Sequence, residues 1–226
     1  MKILHVDPER GFGGGERQVL GLVRHLARRG HENVLAAPVG SPLWRMLPDA
    51  DARRAALAIR NDVDLVAAVR LARLVAAEAS DVVHFHTSRA HAMSLWLPRS
   101  SRRSIVTRRM DYPIRPGLRT SLLYDRRVAG VAAISEEVRR QLFAAGVDPA
   151  RIRLIPSGVE VPDGLPGPAG REAARARFGA GEAMVLAVVA ALERRKGHDV
   201  LLHALADLSS RGIRFHCLLC GDGSER

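Results

Sequence analysis

The stretch Lys2-Ile3-Leu4-His5-Val6-Asp7 is followed closely by Gly11-Phe12-Gly13-Gly14-Gly15-Glu16, and then by a run over 15–29. That run places Val19, Leu22, Val23 and Leu26 on one face, with Arg24 and Arg28 outside. Apolar residues at this spacing predict an amphipathic helix, and Gly30 suits its stop. A short apolar strand, a glycine-rich turn and a helix make one unit of an α/β fold.

The same alternation continues outward. Strands are expected over 2–7, 33–37, 55–59, 81–86, 104–108, 130–134 and 153–155, with a further pair over 184–190 and 213–219. Helices are expected over 15–29, 64–79, 117–128, 136–145, 169–178 and 197–211. Strands alternating with helices predict a parallel sheet covered on both faces. Between 156 and 170 the chain holds Pro156, Gly158, Pro162, Gly164, Pro166, Gly167, Pro168 and Gly170. Residues that fix or free φ at such density predict a connection between domains. The expected domains are 1–160 and 161–226, the second containing too few strands to complete a sheet of ordinary size.

Composition bounds the function. With 47% hydrophobic residues and only 4% aromatics, Leu, Val and Ala must build the core. No apolar run reaches the roughly 18 residues of a membrane span. The start is too short and too soon polar for a secretory signal, so a cytoplasmic protein is expected. The net charge is +11, and all cations but Lys2 and Lys196 are Arg. These Arg are scattered, without the dense stripe and interleaved aromatics that a nucleic-acid groove favours. Phosphates and an anionic membrane face are the expected partners, and nucleic acid is not. Cys217 and Cys220 form a lone C-x-x-C in a strand, where residues three apart face opposite ways. They are expected to be buried free thiols rather than a disulfide or metal pair.

Five segments carry the chemistry. Gly14 and Gly15 open the first helix, where free N–H groups favour an anion. The absence of Gly-Lys-Ser/Thr excludes a P-loop, and Glu16 replaces the third glycine of a dinucleotide fingerprint. Read alone, this turn equally suits a tight connection that binds nothing. Asp81-Val82-Val83-His84-Phe85-His86 ends a strand where ligands of parallel sheets bind. His86 can donate there to a hydroxyl or an oxyanion, while His84 suits a structural role. His-x-His is also a metal spacing, but no carboxylate or Cys evident nearby accompanies it, so no metal is expected. Arg108 and Arg109, in Arg108-Arg109-Met110-Asp111-Tyr112, suit a phosphate or carboxylate and equally a solvated pair. Arg194-Arg195-Lys196 precedes the helix over 197–211 and suits a phosphate. Gly221-Asp222-Gly223 closes the last strand with a turn that allows close ligand approach.

Taken together, Gly13-Gly14-Gly15-Glu16-Arg17, Asp81–His86, Ala133-Ile134-Ser135, Ile155-Pro156-Ser157-Gly158-Val159-Glu160, Arg195-Lys196-Gly197-His198-Asp199 and Gly221-Asp222-Gly223 resemble the retaining group 1 glycosyltransferases with the GT-B fold. The resemblance covers nearly the whole chain. It implies two Rossmann-like, doubly wound parallel-sheet domains, the second truncated here, with a cleft between them. It implies an acceptor-binding N-terminal domain, with Arg108 and Arg109 on the acceptor side, and a C-terminal domain that holds a nucleotide-diphosphate sugar as co-substrate. On this analogy Gly14 and Gly15 face the donor's phosphates, and His86 sits beside the reacting sugar. Lys196 holds the diphosphate with Arg195 beside it, and the Gly221–Gly223 turn lies on the donor side. These cations would replace a metal in neutralising the leaving diphosphate, so no cofactor is expected.

The implied reaction is transfer, with retention, to a hydroxyl of a cell-envelope glycolipid or polysaccharide. The enzyme would be peripheral on the inner face of the cytoplasmic membrane. A sugar-nucleotide epimerase on the same fold, or a non-catalytic binding module, is the alternative. Two departures stand out. Ala190-Ala191 occupies the place of the family's Gly-Arg, and the family's E-x7-E pair would fall after Gly223, beyond Arg226. The 226-residue chain is therefore expected to be inactive alone.

Overall fold

A computed structural model describes residues 1–98, 103–110, 113–161 and 164–226. Asp111 and Tyr112 of the segment after residue 110, and Pro162 of the Pro/Gly-rich connection, lie outside the described residues. The chain divides into two compact units, Met1–Glu160 and Val161–Arg226.

Among the described residues the first unit is built on seven strands: β1 (Lys2–Val6), β2 (Glu32–Ala37), β3 (Arg53–Ala56), β4 (Val82–Phe85), β5 (Arg103–Arg108), β6 (Gly130–Ala133) and β7 (Ile152–Leu154). They lie in the order β3-β2-β1-β4-β5-β6-β7 and all pair in parallel. The helices are α1 (Gly14–Arg28), α2 (Pro42–Met46), α3 (Leu65–Glu78), α4 (Ser88–Ala92), α5 (Leu118–Ser121) and α6 (Glu136–Ala144). Side chains alternate across a strand, and the two faces of this sheet differ accordingly. Leu4, Val6, Val34, Ala36, Val83, Phe85, Val106, Val131 and Ala133 pack with Ala68, Leu71 and Val75 of α3 in one apolar cluster. On the opposite face Leu35 and Ala37 pack with Val19 and Val23 of α1.

Capping follows the sequence locally. Asp64 accepts from the Ala67 N–H at the start of α3, and Ser135 from the Val138 N–H at the start of α6. Each such cap satisfies a helix-end donor that would otherwise lack a partner. Two expectations are corrected. β3 pairs over Arg53–Ala56, earlier than 55–59; the Leu57 N–H still donates to the Ala37 carbonyl at 2.9 Å, and Leu57 and Ile59 are buried in the apolar cluster that includes α3. The helix expected over 117–128 is α5 followed by a π turn over Leu122–Arg126. Within that turn the Leu123 carbonyl lies 3.0 Å from His91 Nε2.

The second unit contains α7 (Pro168–Arg177), β8 (Met184–Val189), α8 (His198–Ser210) and β9 (Phe215–Cys220). β8 and β9 pair in parallel, Met184 against Phe215 through Val189 against Cys220. Gly170, expected in the connection, lies inside α7. Cys217 and Cys220 are free, but Cys217 is half-buried and Cys220 exposed, which corrects the expectation of buried thiols.

Gly221 and Gly223 have a structural reason that the sequence did not reveal. A Cβ on Gly221 would stand 1.8 Å from the Ala190 carbonyl oxygen, and one on Gly223 2.3 Å from that of Leu192. The turn lies directly against the backbone that leaves β8. The Leu192 N–H donates to the Asp222 carbonyl at 3.0 Å, and the Glu225 N–H donates to the Leu192 carbonyl at 3.0 Å. The glycines therefore serve backbone-to-backbone packing. Gly221→Ala is expected to cost at least about 1–3 kcal/mol, the usual penalty of overpacking. Denaturant unfolding followed in the second unit checks this, and an unchanged midpoint would refute the assignment.

Candidate active site

The strand order reverses between β1 and β4: β2 and β3 lie to one side, and β5 to β7 to the other. Ligands of open parallel sheets bind at such a reversal, beyond the carboxyl ends of the strands. Here those ends are Val6-Asp7 and Phe85-His86. The His86 N–H donates to the Val6 carbonyl at 3.1 Å, so His86 extends the β1–β4 ladder by one residue.

Register sets the polar residues. His5 pairs with His84, and odd positions of β1 share the α1 face with even positions of β4. His5, Asp7, His84 and His86 therefore fall on one face, and all four are buried. The rings of His84 and His86 lie 3.9 Å apart between centroids, and those of His5 and His86 5.3 Å. His5 Nδ1 is 3.0 Å from His86 Nε2, and His5 Nε2 is 3.2 Å from Asn33 Oδ1. His84 Nε2 is 2.7 Å from the Thr107 hydroxyl. Arg109 reaches the same place, donating from a terminal nitrogen to the His86 carbonyl at 3.0 Å. Arg108 is buried on the opposite face of β5, as alternation requires.

The glycine turn meets this cluster through Arg109. A Cβ on Gly15 would lie 3.8 Å from Arg109 Cδ, and one on Gly14 would meet nothing within 4 Å. Neither position has a positive φ. The open space beside the start of α1 is consistent with room for a ligand. The Glu16 carboxylate accepts from the Gly13 N–H at 2.6 Å and closes the first turn. Gln18 of α1 makes a two-point contact with Gly158, donating to its carbonyl and accepting from its N–H. This contact fastens the Pro156-Ser157-Gly158 segment to the helix, a link with no signal in the sequence.

Burial sets the charge states. It pushes His5 and His91 down to about 4, with a hydrogen bond opposing in each case, from Asn33 and from the Leu123 carbonyl. His84 and His86 are held well below the usual imidazole range by burial and by neighbouring histidines and Arg109. Burial raises Asp7 to about 6, and the Glu9 N–H bond opposes it. Burial also lowers Arg109, against the attraction of Asp7 and Glu16. Near neutrality the site thus holds neutral imidazoles beside the Arg109 guanidinium and the Asp7 carboxylate.

Ring nitrogens of His5, His84 and His86 all lie within 4.8 Å of one another, a spacing that could bring three ligands to one metal ion. Both nitrogens of His5, Nε2 of His86 and Nε2 of His84 are engaged with each other, with Asn33 and with Thr107, while His86 Nδ1 is buried without a partner among the described residues. The cluster reads as a hydrogen-bonded network. The sequence reading missed His5, Asp7 and Asn33. For His5 and Asp7 the available signal was two polar residues at alternate positions of an otherwise apolar strand, and Asn33 carried none.

The other residues singled out in the sequence lie in the second unit. Arg194–Lys196 forms a 3-10 turn before α8. Arg195 is paired with Glu193 at 2.7 Å, so part of its charge is already neutralised, while Lys196 is exposed.

A parallel sheet with a glycine turn and a polar cluster at its reversal defines a Rossmann-like ligand-binding domain. The chain belongs to Glycosyltransferase Family 4, whose model matches residues 12–162, within the group 1 glycosyltransferases of GT-B fold. It is 27% identical over 187 residues to the GDP-mannose-dependent α-(1-6)-phosphatidylinositol monomannoside mannosyltransferase of Mycolicibacterium smegmatis, covering 76% of this chain and 49% of that protein. It resembles a glycosyltransferase structure from Rickettsia africae with a TM-score of 0.79 and 23% identity, over 98% of this chain and 60% of that one. Anabaena HepE, solved in complex with UDP and glucose, matches with a TM-score of 0.79 and 17% identity, over 99% of this chain and 62% of that one. The chain spans about half or less of the length of the curated relatives it matches.

The shifts predict how stability responds to acid. His5, His84, His86 and His91 have lower pKa values folded than unfolded, so the unfolded state binds more protons below about 6.5. Stability is lost as pH falls from there toward 4. Asp7 acts oppositely, because its raised value favours the folded state as pH falls through about 6. Four histidines against one carboxylate leave a net uptake of about three protons on unfolding near pH 5. Unfolding free energy measured from pH 7 to 4 should fall with that slope. A flat profile would contradict the buried neutral cluster.

Proposed function

We propose that the protein transfers a sugar from a nucleotide diphosphate to a hydroxyl acceptor, with retention of configuration. The observation that carries this reading is the meeting of the Gly14–Gly15 turn, Arg109 and His86 at the reversal of the sheet, in a chain of Glycosyltransferase Family 4. The free N–H groups at the start of α1 would face the donor's phosphates, and His86 would lie beside the transferred sugar. Arg109, beside both, is assigned to the same place, and Arg108 to the acceptor side only through its support of β5.

Lys196 would neutralise the leaving diphosphate, with Arg195 secondary because Glu193 holds it. The Gly221–Gly223 turn would act on the donor side by holding the segment that carries Lys196. Charge neutralisation by fixed cations stabilises a developing anion without a metal, so no metal or other cofactor is proposed. GDP-mannose and UDP in the names of similar proteins support a nucleotide sugar as donor. A phosphatidylinositol mannoside in one of those names supports a cell-envelope glycolipid or polysaccharide as acceptor.

The test is donor binding and transfer by the full-length protein. Lys196→Ala should weaken donor affinity roughly tenfold, as loss of a charge-assisted contact does. His86→Ala should lower transfer far more than it lowers donor affinity. Both activities should survive a chelator. Unchanged donor affinity in Lys196→Ala would remove that residue from the site, and loss of transfer on chelation would overturn the metal-free mechanism.

Peripheral contact with the inner face of an anionic membrane belongs to the same proposal. Among the described residues no helix is long and apolar enough to cross a bilayer. Helix α3, however, exposes Val66 and Val69 next to Val63 and Leu65, with Arg70 and Arg73 exposed one turn further along. Apolar residues flanked by cations suit insertion at an acidic lipid surface. Each Arg near such a surface contributes about 1 kcal/mol, so Arg70→Glu with Arg73→Glu should cut binding to phosphatidylglycerol vesicles by at least about tenfold. Equal sedimentation with neutral phosphatidylcholine vesicles would overturn the assignment.

A further inference from the structure

Asn33, His5 and His86 form a buried line whose hydrogen atoms can be placed by elimination. Asn33 Nδ2 lies 3.4 Å from the Val23 carbonyl, 3.2 Å from that of His31 and 3.2 Å from that of Asp51. Carbonyls only accept, so the NH2 group points at them and Oδ1 faces His5. His5 Nε2 must then carry the hydrogen that Asn33 Oδ1 accepts at 3.2 Å. A neutral ring has one N–H, so His5 Nδ1 is an acceptor. His86 Nε2–H donates to it at 3.0 Å. That leaves His86 Nδ1 without a hydrogen, and it is buried with no partner among the described residues. A buried acceptor with nothing to accept is uncommon.

We propose that His5 and Asn33 are positioning residues that lock His86 in its Nε2–H form, keeping a bare Nδ1 to accept a hydrogen bond from a sugar hydroxyl. This reverses the donor role expected of His86 from the sequence. The inference rests on the glycosyltransferase reading for its ligand, but the lock itself does not. The three carbonyls around Asn33 come from α1, from the residue before β2 and from the residue before Ala52, so the line is anchored in the frame of the sheet. The low pKa values of both rings keep them neutral, as the assignment requires.

The test is a 15N spectrum of the histidines in the full chain, with His86 assigned by its loss in His86→Gln. The native protein should hold His86 with Nε2 protonated and Nδ1 bare. His5→Phe removes the acceptor and should let His86 populate both forms. His5→Asn places an amide oxygen where Nδ1 stood and should restore the single form. In the transfer assay kcat/KM should fall roughly tenfold in His5→Phe, the weight of one hydrogen bond, and recover in His5→Asn. A native His86 protonated at Nδ1, or a His5→Phe spectrum identical to the native one, would overturn the lock. If His5→Phe does not fold, the native and His5→Asn spectra decide alone. A locked His86 in a protein without transfer would sustain the lock and refute the glycosyltransferase reading.

Discussion

The parallel pairing of β1 with β4 is the constraint on which the rest of the molecule depends. These two strands are 76 residues apart at their nearest ends, from Val6 to Val82, yet they lie side by side from Ile3↔Val82 to Val6↔Phe85. That pairing creates the point where the strand order reverses. It also sets the parity of every polar side chain at the site. A shift of one residue would turn His84 and His86 into the apolar layer beneath α3 and bring Val83 and Phe85 out. The burial of Phe85, Val83, Leu4 and Val6 holds the register. Burial is worth roughly 1.5–3 kcal/mol for each large apolar side chain.

The polar face is tolerated because most of its members have partners, though Asp7 Oδ2, His86 Nδ1 and Arg109 Nε do not among the described residues. His5 bridges Asn33 and His86, His84 takes Thr107, and Arg109 takes the His86 carbonyl. Neutral imidazoles avoid the heavy cost of burying charge. Asp7 and Arg109 are the charged exceptions, and each is shifted toward its neutral form by burial. A cluster so arranged combines rigidity with a small stock of unused hydrogen-bonding capacity, and His86 Nδ1 belongs to that stock.

Most elements of the fold were legible because the apolar periods of strands and helices are strong. α1, α3 and α6 stand within a residue or so of where the pattern puts them. β3 was misplaced because Leu57 and Ile59, buried in the apolar cluster, read as strand residues, whereas the paired register begins at Arg53 and ends at Ala56. The π turn was invisible because its composition is that of an ordinary helix. At the site, the glycine turn and His86 were legible as motifs. His5, Asp7 and Asn33 were not, because their importance arises only when distant strands are laid side by side. Gly221 and Gly223 were legible as glycines but not in purpose, since what excludes a side chain there is the backbone of Ala190 and Leu192.

That tight fit has a further effect on how an anion would be received. The backbone from Ala190 to Leu192 is hydrogen-bonded to Cys220, Asp222 and Glu225, and the 3-10 turn that ends at Lys196 begins two residues later. The base of that turn is fixed when the unit folds. In the role proposed for Lys196, a phosphate would therefore not have to freeze the main chain beneath it. Much of the entropy that binding would otherwise lose has already been spent in folding. The absence of a side chain at two glycines becomes stiffness beneath a charge.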